Sequence, residues 1–168
     1  AYGGIYDQIG GGFSRYSVDN RWHIPHFEKM LYDNAQLVSV YSKAYLQDKN
    51  ELYKSIVKET LDFVNDELNA NNGAFYSSLD ADSKNENNEL EEGIFYTWTK
   101  QELKALIKDY KLFANYYNVN TTGFWENDLY VLIRDQSVTE FAKKNKLTKD
   151  ELKEKIADWK SILNVARN

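Results

Sequence analysis

The residues best suited to chemistry stand near the start of the chain. A glycine-rich run, Gly10–Ser17, precedes a polar and aromatic run, Arg21–Met30. Pro25 fits the first position of a helix, where its missing N–H leaves no hydrogen bond unmade, so His26 and Glu28 are predicted to lie in the first helical turn. Because the positive end of a helix disfavours imidazolium, His26 is expected to be a neutral proton acceptor. Glu28 is expected to be its ionised neighbour, and the alternative is that both residues only cap or pack the helix.

A second candidate site is the pair of carboxylates at Asp80 and Asp82. Paired carboxylates serve glycoside chemistry, one protonated as the acid and the other ionised as the base or nucleophile. A calcium loop fits poorly, because Lys84 and Asn85 stand where an EF-hand loop needs a ligand and a glycine. The alternatives that remain are a catalytic pair and a solvated acidic loop. No metal and no cofactor is predicted.

Six further residues are candidates for ligand contact. Arginine offers paired hydrogen bonds to hydroxyls or carboxylates, and aromatic rings offer flat faces on which a sugar can stack. The alternative for Asp33 is an ordinary ion pair with Lys29, four residues before it. The substrate-binding candidates are Arg15, Tyr16, Trp22, Asp33, Tyr96 and Trp98.

Helical elements are predicted to position these side chains. Apolar residues recur at steps of three and four from Phe27 to about Leu46 and again from Tyr53 to Leu68, a spacing that predicts two antiparallel helices. Capping boxes, in which Ser or Thr precedes Glu by three residues, predict the starts of three more helices. These helices are expected at about 100–108, 138–145 and 149–166, with a further helix at 109–118.

Short β-segments are expected between the helices. Gly73–Ser77 and Gly93–Thr97 share a Gly-x-Phe-Tyr pattern, which is typical of short aromatic strands. We expect them to pair as a hairpin with the acidic stretch Ser78–Glu92 as its tip, and a short strand is predicted at Leu129–Ile133. The fold class predicted from these patterns is mainly α, with helical hairpins that end in small β-hairpins.

Composition limits the function. The chain has 168 residues, of which 42% are hydrophobic and 28% charged, so one packed domain over residues 1–168 is expected. It contains no cysteine, which excludes disulfides and thiol chemistry within this chain. The net charge of −5 is concentrated between Ser77 and Gly93, and no basic stripe suited to nucleic acid is present. No apolar run is long enough to cross a membrane, and a cytoplasmic location is expected.

Several runs resemble the YyaL-like, spermatogenesis-associated, thioredoxin-domain-containing family. They are Gly3–Asp19, Pro25–Asp33, Phe75–Ser77 with Asp80–Ser83, and Glu91–Trp98. The resemblance implies a thioredoxin-like domain joined to an all-α, six-hairpin (α/α) toroid like those of glycosidases and sugar epimerases. Such a toroid needs roughly 250–300 residues, so the chain is expected to be an interior fragment of it. Ser14 departs from the family, which usually has His there.

The function expected from these observations is part of a carbohydrate-active site, with the fragment inactive by itself. In glycoside hydrolysis Asp80 or Asp82 would be the acid or base, whereas in sugar epimerisation His26 would accept the proton. The alternatives are a non-catalytic module that binds protein or glycan, and an adaptor for the thioredoxin-like domain. The expected partners are a carbohydrate, the missing half of the toroid, that domain, and a second copy of the chain bound through exposed apolar faces.

Overall fold

A computed structural model describes residues 1–70, 72–85 and 87–167 of the chain. Within them the fold is mixed, with helices and four two-stranded antiparallel sheets. The helices are α1 Leu31–Asp48, α2 Glu51–Glu67, α3 Lys100–Leu106, α4 Tyr110–Tyr116, α5 Val138–Lys144 and α6 Lys149–Arg167. The strands are β1 Tyr16–Ser17, β2 Pro25–His26, β3 Lys29–Met30, β4 Ser78–Leu79, β5 Asp82–Lys84, β6 Leu90–Glu92, β7 Trp98–Thr99 and β8 Leu129–Tyr130.

The prediction of an all-α, six-hairpin toroid is wrong. Strands pair as β1–β2, β3–β4, β5–β6 and β7–β8, and each strand has only two or three residues. Such short pairings leave no alternating pattern long enough to be recognised in a sequence, because a strand signal needs about four to eight residues. The chain forms two compact units, one of Ala1 with Gly3–Phe95 and one of Tyr2 with the residues from Tyr96 onward. The prediction of a single domain over 1–168 stays a prediction.

The first unit contains the predicted pair of long helices. α1 and α2 pack against each other, and the turn between them uses Lys49 in the left-handed region, with φ of 55°, and Asn50. The Asn50 side chain accepts a hydrogen bond from the Leu52 backbone N–H at 3.0 Å, which caps the start of α2. α1 begins at Leu31 rather than near Pro25, because Pro25 pairs with β1 and extends the strand.

The glycine-rich loop is fixed against these helices by long-range contacts. The Lys29 ammonium lies 3.0 Å from the Asp7 carboxylate and donates to the Gly11 carbonyl at 2.9 Å, and its side chain is 1% exposed. At Gly12, where φ is 77°, an added Cβ would lie 2.4 Å from the Phe63 ring. Only glycine allows both this backbone conformation and this approach, so the loop, β3 and α2 form one packed body.

The predicted aromatic hairpin is wrong in its pairing. β5 and β6, which form the observed hairpin, lie inside the acidic stretch that was expected to be its tip. Ser78–Leu79 pairs instead with Lys29–Met30. Glu86, also part of the predicted acidic tip, lies outside the described residues.

The second unit follows its sequence signals closely. All three capping boxes form, with Glu102, Glu140 and Glu151 each accepting from the backbone and hydroxyl of the capping residue three positions before it. The helices they begin agree with the predictions to within about two residues at either end. The predicted strand at Leu129–Ile133 is present only in its first two residues, Leu129–Tyr130, as β8.

One carboxylate joins two helices of the second unit. Asp109, just before α4, accepts hydrogen bonds from Trp159 Nε1 at 2.7 Å and from Lys155 Nζ at 2.8 Å, both on α6. Burial raises the pKa of Asp109, but these two donors outweigh it and hold the pKa below its usual range. None of the helices in the described residues is long and apolar enough to span a membrane.

Candidate functional site

The β1–β2 ribbon of the first unit places an aromatic ring on the candidate histidine. Tyr16 stands directly opposite His26, and their rings stack with centroids 4.9 Å apart and planes inclined by 16°. His26 is therefore in a strand, and the prediction that it lies in the first turn of a helix is wrong. His26 is therefore not exposed to a helix dipole, and its electrostatic surroundings are set by the side chains next to it.

The principal polar neighbour of His26 is Glu92. Its Oε1 lies 2.9 Å from His26 Nδ1, although the two residues are 66 positions apart in the chain. Glu92 ends β6, and the register sets it directly opposite Asp82 on β5. From the sequence, Glu92 is only one residue of an acidic loop, since nothing local connects it with His26.

Arg15 and Glu28 form a second polar pair beside the ribbon. The guanidinium of Arg15 lies 3.0 Å from Glu28 Oε2, and the Arg15 backbone N–H donates to the Glu28 carbonyl at 2.9 Å. Glu28 lies between β2 and β3, so its predicted place in a first helical turn is wrong. The ion pair raises the pKa of Arg15 through the side-chain hydrogen bond, and the pair places a fixed positive and negative charge together.

Asp33 carries a carboxyl oxygen in this region that lacks a hydrogen-bond partner among the described residues. It lies in the first turn of α1, and its predicted ion pair with Lys29 is absent because Lys29 binds Asp7. The Oδ2 atom of Asp33 is buried and has no hydrogen-bond partner among the described residues. Burial raises the pKa of Asp33, the charge of Glu28 raises it further, and Arg15 opposes both. The net shift is upward, toward a protonated acid.

Trp22 is held out from the surface in a strained conformation. Its φ is 59°, a region that bulky residues rarely adopt, and 61% of the residue is exposed. The Trp22 carbonyl accepts from the Gly4 N–H at 2.8 Å, and a Cβ on Gly3 would lie 2.2 Å from the same oxygen. The surrounding structure therefore maintains an exposed flat ring at the cost of backbone strain.

The loop that carries Trp22 is organised by Asp19. Its carboxylate accepts from the backbone N–H groups of Arg21, His23 and Ile24 at 2.6, 3.2 and 2.7 Å. Burial raises the pKa of Asp19, but the three N–H donors outweigh it and leave the pKa lowered. Asp19 is a structural residue that sequence analysis did not single out.

The two carboxylates predicted as a catalytic pair lie on the surface at the β5–β6 hairpin. Asp80 and Asp82 are both exposed, and the Asp80 carboxylate accepts from the Asp82 N–H at 3.2 Å, as in an Asx turn. Asp80 thus shapes the start of the β5–β6 hairpin. Asp82 projects from the same face of the hairpin as Glu92, because cross-strand partners share a face.

Two candidates belong to the second unit. Trp98 lies in β7 opposite Tyr130 and is 5% exposed, and its buried Nε1 has no partner among the described residues. Tyr96 is half-buried, with the Arg167 guanidinium 5.9 Å from its ring centroid.

In the described parts of the chain, no three His, Asp or Glu side chains converge as a metal site would require.

Comparison with known proteins identifies relatives of this chain. No family model matches it. It is 46% identical over 110 residues to Spermatogenesis-associated protein 20 of Homo sapiens and 47% identical over 110 residues to the protein of the same name in Mus musculus. Each match covers 65% of this chain and 14% of the relative. Uncharacterized protein B0495.5 of Caenorhabditis elegans is 36% identical over 192 residues, a match that covers 99% of this chain and 26% of that protein.

The chain is therefore a homologue of proteins named spermatogenesis-associated protein 20, and this part of the expected resemblance is confirmed. It spans 14% of the length of the mammalian relatives.

Proposed function

We propose that the first unit carries a carbohydrate-active site in which Asp33 is the acid and Glu28 the ionised carboxylate. The observation that carries this proposal is the Asp33 carboxyl, with its buried and unbonded Oδ2 and its raised pKa beside the Arg15–Glu28 pair. A carboxyl group with a raised pKa suits the role of the acid, and Glu28, paired with Arg15, is the second carboxyl group of the site. The catalytic role predicted for Asp80 and Asp82 stays a prediction.

The surroundings of these groups support a sugar as the ligand. Arg15 supplies charged donors for ring hydroxyls. Tyr16 follows Arg15 in the chain, and both Tyr16 and Trp22 are exposed, so flat apolar faces are available for stacking. Exposed aromatic rings together with hydrogen-bonding charges match the two faces of a sugar, which is apolar over its C–H bonds and polar around its rim.

Hydrolysis of a glycosidic bond is the reaction that suits the two carboxyl groups. Protonated Asp33 would give its proton to the glycosidic oxygen as the bond to the anomeric carbon breaks. Glu28 would take a proton from the water that adds to this carbon. One water is consumed and the two protons balance, with Glu28 left protonated and Asp33 left ionised before they exchange with solvent.

The test is sugar binding and turnover by the 168-residue chain. Thermal melts against a panel of mono- and disaccharides detect binding, because a ligand that binds only the folded state raises the midpoint. We expect a rise that Asp33→Asn abolishes. Asp66→Asn is the matched control, since Asp66 is an exposed aspartate on α2 of the same unit, and it should leave the rise unchanged. A rise that survives Asp33→Asn contradicts the assignment of this site.

Proton NMR in D₂O of the same mixtures separates the reaction classes. Hydrolysis produces new reducing-end anomeric signals, whereas epimerisation exchanges a ring C–H for deuterium. Binding without either change would favour the non-catalytic module. No sugar effect of any kind, together with binding to a thioredoxin-like domain, would favour the adaptor. The cytoplasmic location and the dimer predicted from the sequence stay predictions.

A further inference from the structure

We propose that Glu92 is a positioning residue that fixes His26 as a proton acceptor, so that His26 and Glu92 form a proton-transfer dyad. Nothing in the carboxyl pair of the proposed function requires this dyad. It stands on its own geometry, the 2.9 Å contact between His26 Nδ1 and Glu92 Oε1 and the Tyr16 ring stacked on the imidazole.

The contact determines which nitrogen of His26 carries the proton. An ionised carboxylate accepts hydrogen bonds and cannot donate them, so the hydrogen in this contact belongs to Nδ1. In a neutral imidazole with its proton on Nδ1, the lone pair is on Nε2. The other described residues offer no partner to Nε2, and 30% of the side chain is exposed. The free lone pair therefore faces a surface that a ligand can reach.

The ring plane of His26 is fixed by two different elements. The β1–β2 pairing supplies the Tyr16 ring at 4.9 Å on one face. The β5–β6 hairpin supplies Glu92 at the edge of the ring. A side chain held by stacking on its face and by a hydrogen bond at its edge has lost most of its rotational freedom. Such preorganisation is what a general base needs.

The chemistry that this dyad supplies is transfer of a proton to Nε2 from a hydroxyl, or from a C–H next to a carbonyl. The proton moves to Nε2, the electron pair stays on the ligand oxygen or carbon, and the imidazolium that forms keeps its Nδ1 proton toward Glu92. The carboxylate then stabilises the new positive charge. The identity of the ligand as a sugar rests on the proposed function. The tautomer of His26 set by Glu92 does not depend on it.

The first test is the tautomer of His26, read from ¹⁵N–¹H spectra of the imidazole at about pH 8.5, two units above the ordinary pKa of histidine. We expect His26 in the chain to be mainly the Nδ1–H form. Glu92→Ala should return it to the Nε2–H form that free imidazole side chains favour. Glu89→Ala, an exposed glutamate near the same hairpin strand, is the matched control and should change nothing. A His26 that is mainly Nε2–H in the unmodified chain overturns the proposal.

The second test is the reactivity of Nε2 toward diethyl pyrocarbonate, followed by peptide mass spectrometry. We expect His26 to react and Glu92→Ala to slow the reaction several-fold, because the Glu92 carboxylate makes the Nε2 lone pair more basic through the hydrogen bond at Nδ1. His23, which is 4% exposed, gives an internal measure of whether the fold is intact. If Glu92→Ala disturbs the hairpin amide signals, Glu92→Gln keeps the shape of the side chain and should give a mixture of tautomers.

The two proposals fail separately. An Nδ1–H tautomer with no sugar effect leaves the dyad in place and rejects the carbohydrate function. A sugar effect with unchanged His26 reactivity in Glu92→Ala and Glu92→Gln rejects the dyad and leaves the carboxyl site in place.

Discussion

The helix starts of the second unit and the candidate site of the first unit depend on different kinds of contact. In the second unit, capping boxes that span only three residues begin α3, α5 and α6. In the first unit the decisive contacts join distant residues: Lys29 with Asp7 and His26 with Glu92 are separated by 22 and 66 positions. The candidate site therefore depends on residues that are far apart in the sequence, whereas each helix start depends on residues three positions apart. The residues of such a site come together only when the chain folds, so no short sequence motif marks the site.

The largest effect is expected from breaking the buried ion pair of the first unit. Lys29→Met removes the ammonium and leaves the Asp7 carboxylate, which is 8% exposed, without its counter-charge. The loss of one partner of a buried pair costs about 3–5 kcal/mol. Urea denaturation should show a loss of this size, and hydrogen exchange should locate it in the glycine loop and the start of α1.

The control is the double variant Lys29→Met with Asp7→Asn. It removes both charges, so part of the lost stability should return. If the single and double variants are equally unstable, the ion pair is not what organises the loop.

A smaller effect is expected from adding one methyl group to the glycine loop. Gly12→Ala places a Cβ 2.4 Å from Phe63 at a φ of 77°, and the combination of overpacking and backbone strain should cost about 2–4 kcal/mol. Gly73→Ala is the matched control, because Gly73 also has a positive φ, 85°, but no described residue beyond its chain neighbours lies within 4 Å of its Cβ position. Only the backbone strain of about 1–2 kcal/mol remains there. Equal thermal melts for the two variants would contradict the close packing of Gly12.

The cap of α5 should matter less still. Ser137→Ala removes the hydroxyl that accepts from the Glu140 N–H at 3.2 Å, at a cost of about 1 kcal/mol. Thr139→Ala, an exposed position inside the same helix, should change stability little or increase it slightly. Guanidinium melts of both variants measure the difference. If Ser137→Ala lost more stability than Gly12→Ala, the helix cap of the second unit would matter more than the packing of the glycine loop, contrary to this expectation.

The smallest effect is expected at Asp33 and has the opposite sign. Because the pKa of Asp33 is raised in the folded state, its ionisation destabilises the fold above that pKa, and this penalty disappears as the pH falls through it. Asp33→Asn should therefore raise the thermal midpoint slightly at pH 7 and have no such benefit near pH 3. A variant that is less stable than the parent at neutral pH would show that Asp33 serves the fold rather than a site.

These differences explain how much could be predicted from the sequence. The α1–α2 pair, the three caps and the strand near Leu129 follow from spacings of a few residues, and they were predicted correctly. The prediction of a helix start at Pro25 is wrong, because its ring suits both a first helical turn and a short strand. Only the pairing with Ser17 decides between them. The all-α toroid came from the family resemblance, and the two- and three-residue strand pairs that contradict it have no periodicity that the sequence could show.

The candidate site was found in part. Arg15, Glu28, Asp33, Tyr16 and His26 were all singled out by type and position, and the structure connects them in the first unit. Their partners could not be predicted, because Glu92 reaches His26 only through the β5–β6 hairpin. The pairing of Lys29 with Asp7 could not be foreseen either, so Asp33 was given an ion pair that it lacks.

A ¹³C NMR titration of the Asp33 carboxyl in the folded chain tests the assignment of Asp33 as the acid. We expect a midpoint above the ordinary aspartate pKa of about 3.9, because burial and the Glu28 charge both favour the protonated acid. Glu28→Gln should lower this midpoint, since it removes one charge that raises the pKa of Asp33 and leaves Arg15, which lowers it, uncompensated. Arg15→Gln should raise it. A midpoint at or below the ordinary value, unchanged in both variants, would contradict the assignment of Asp33 as the acid.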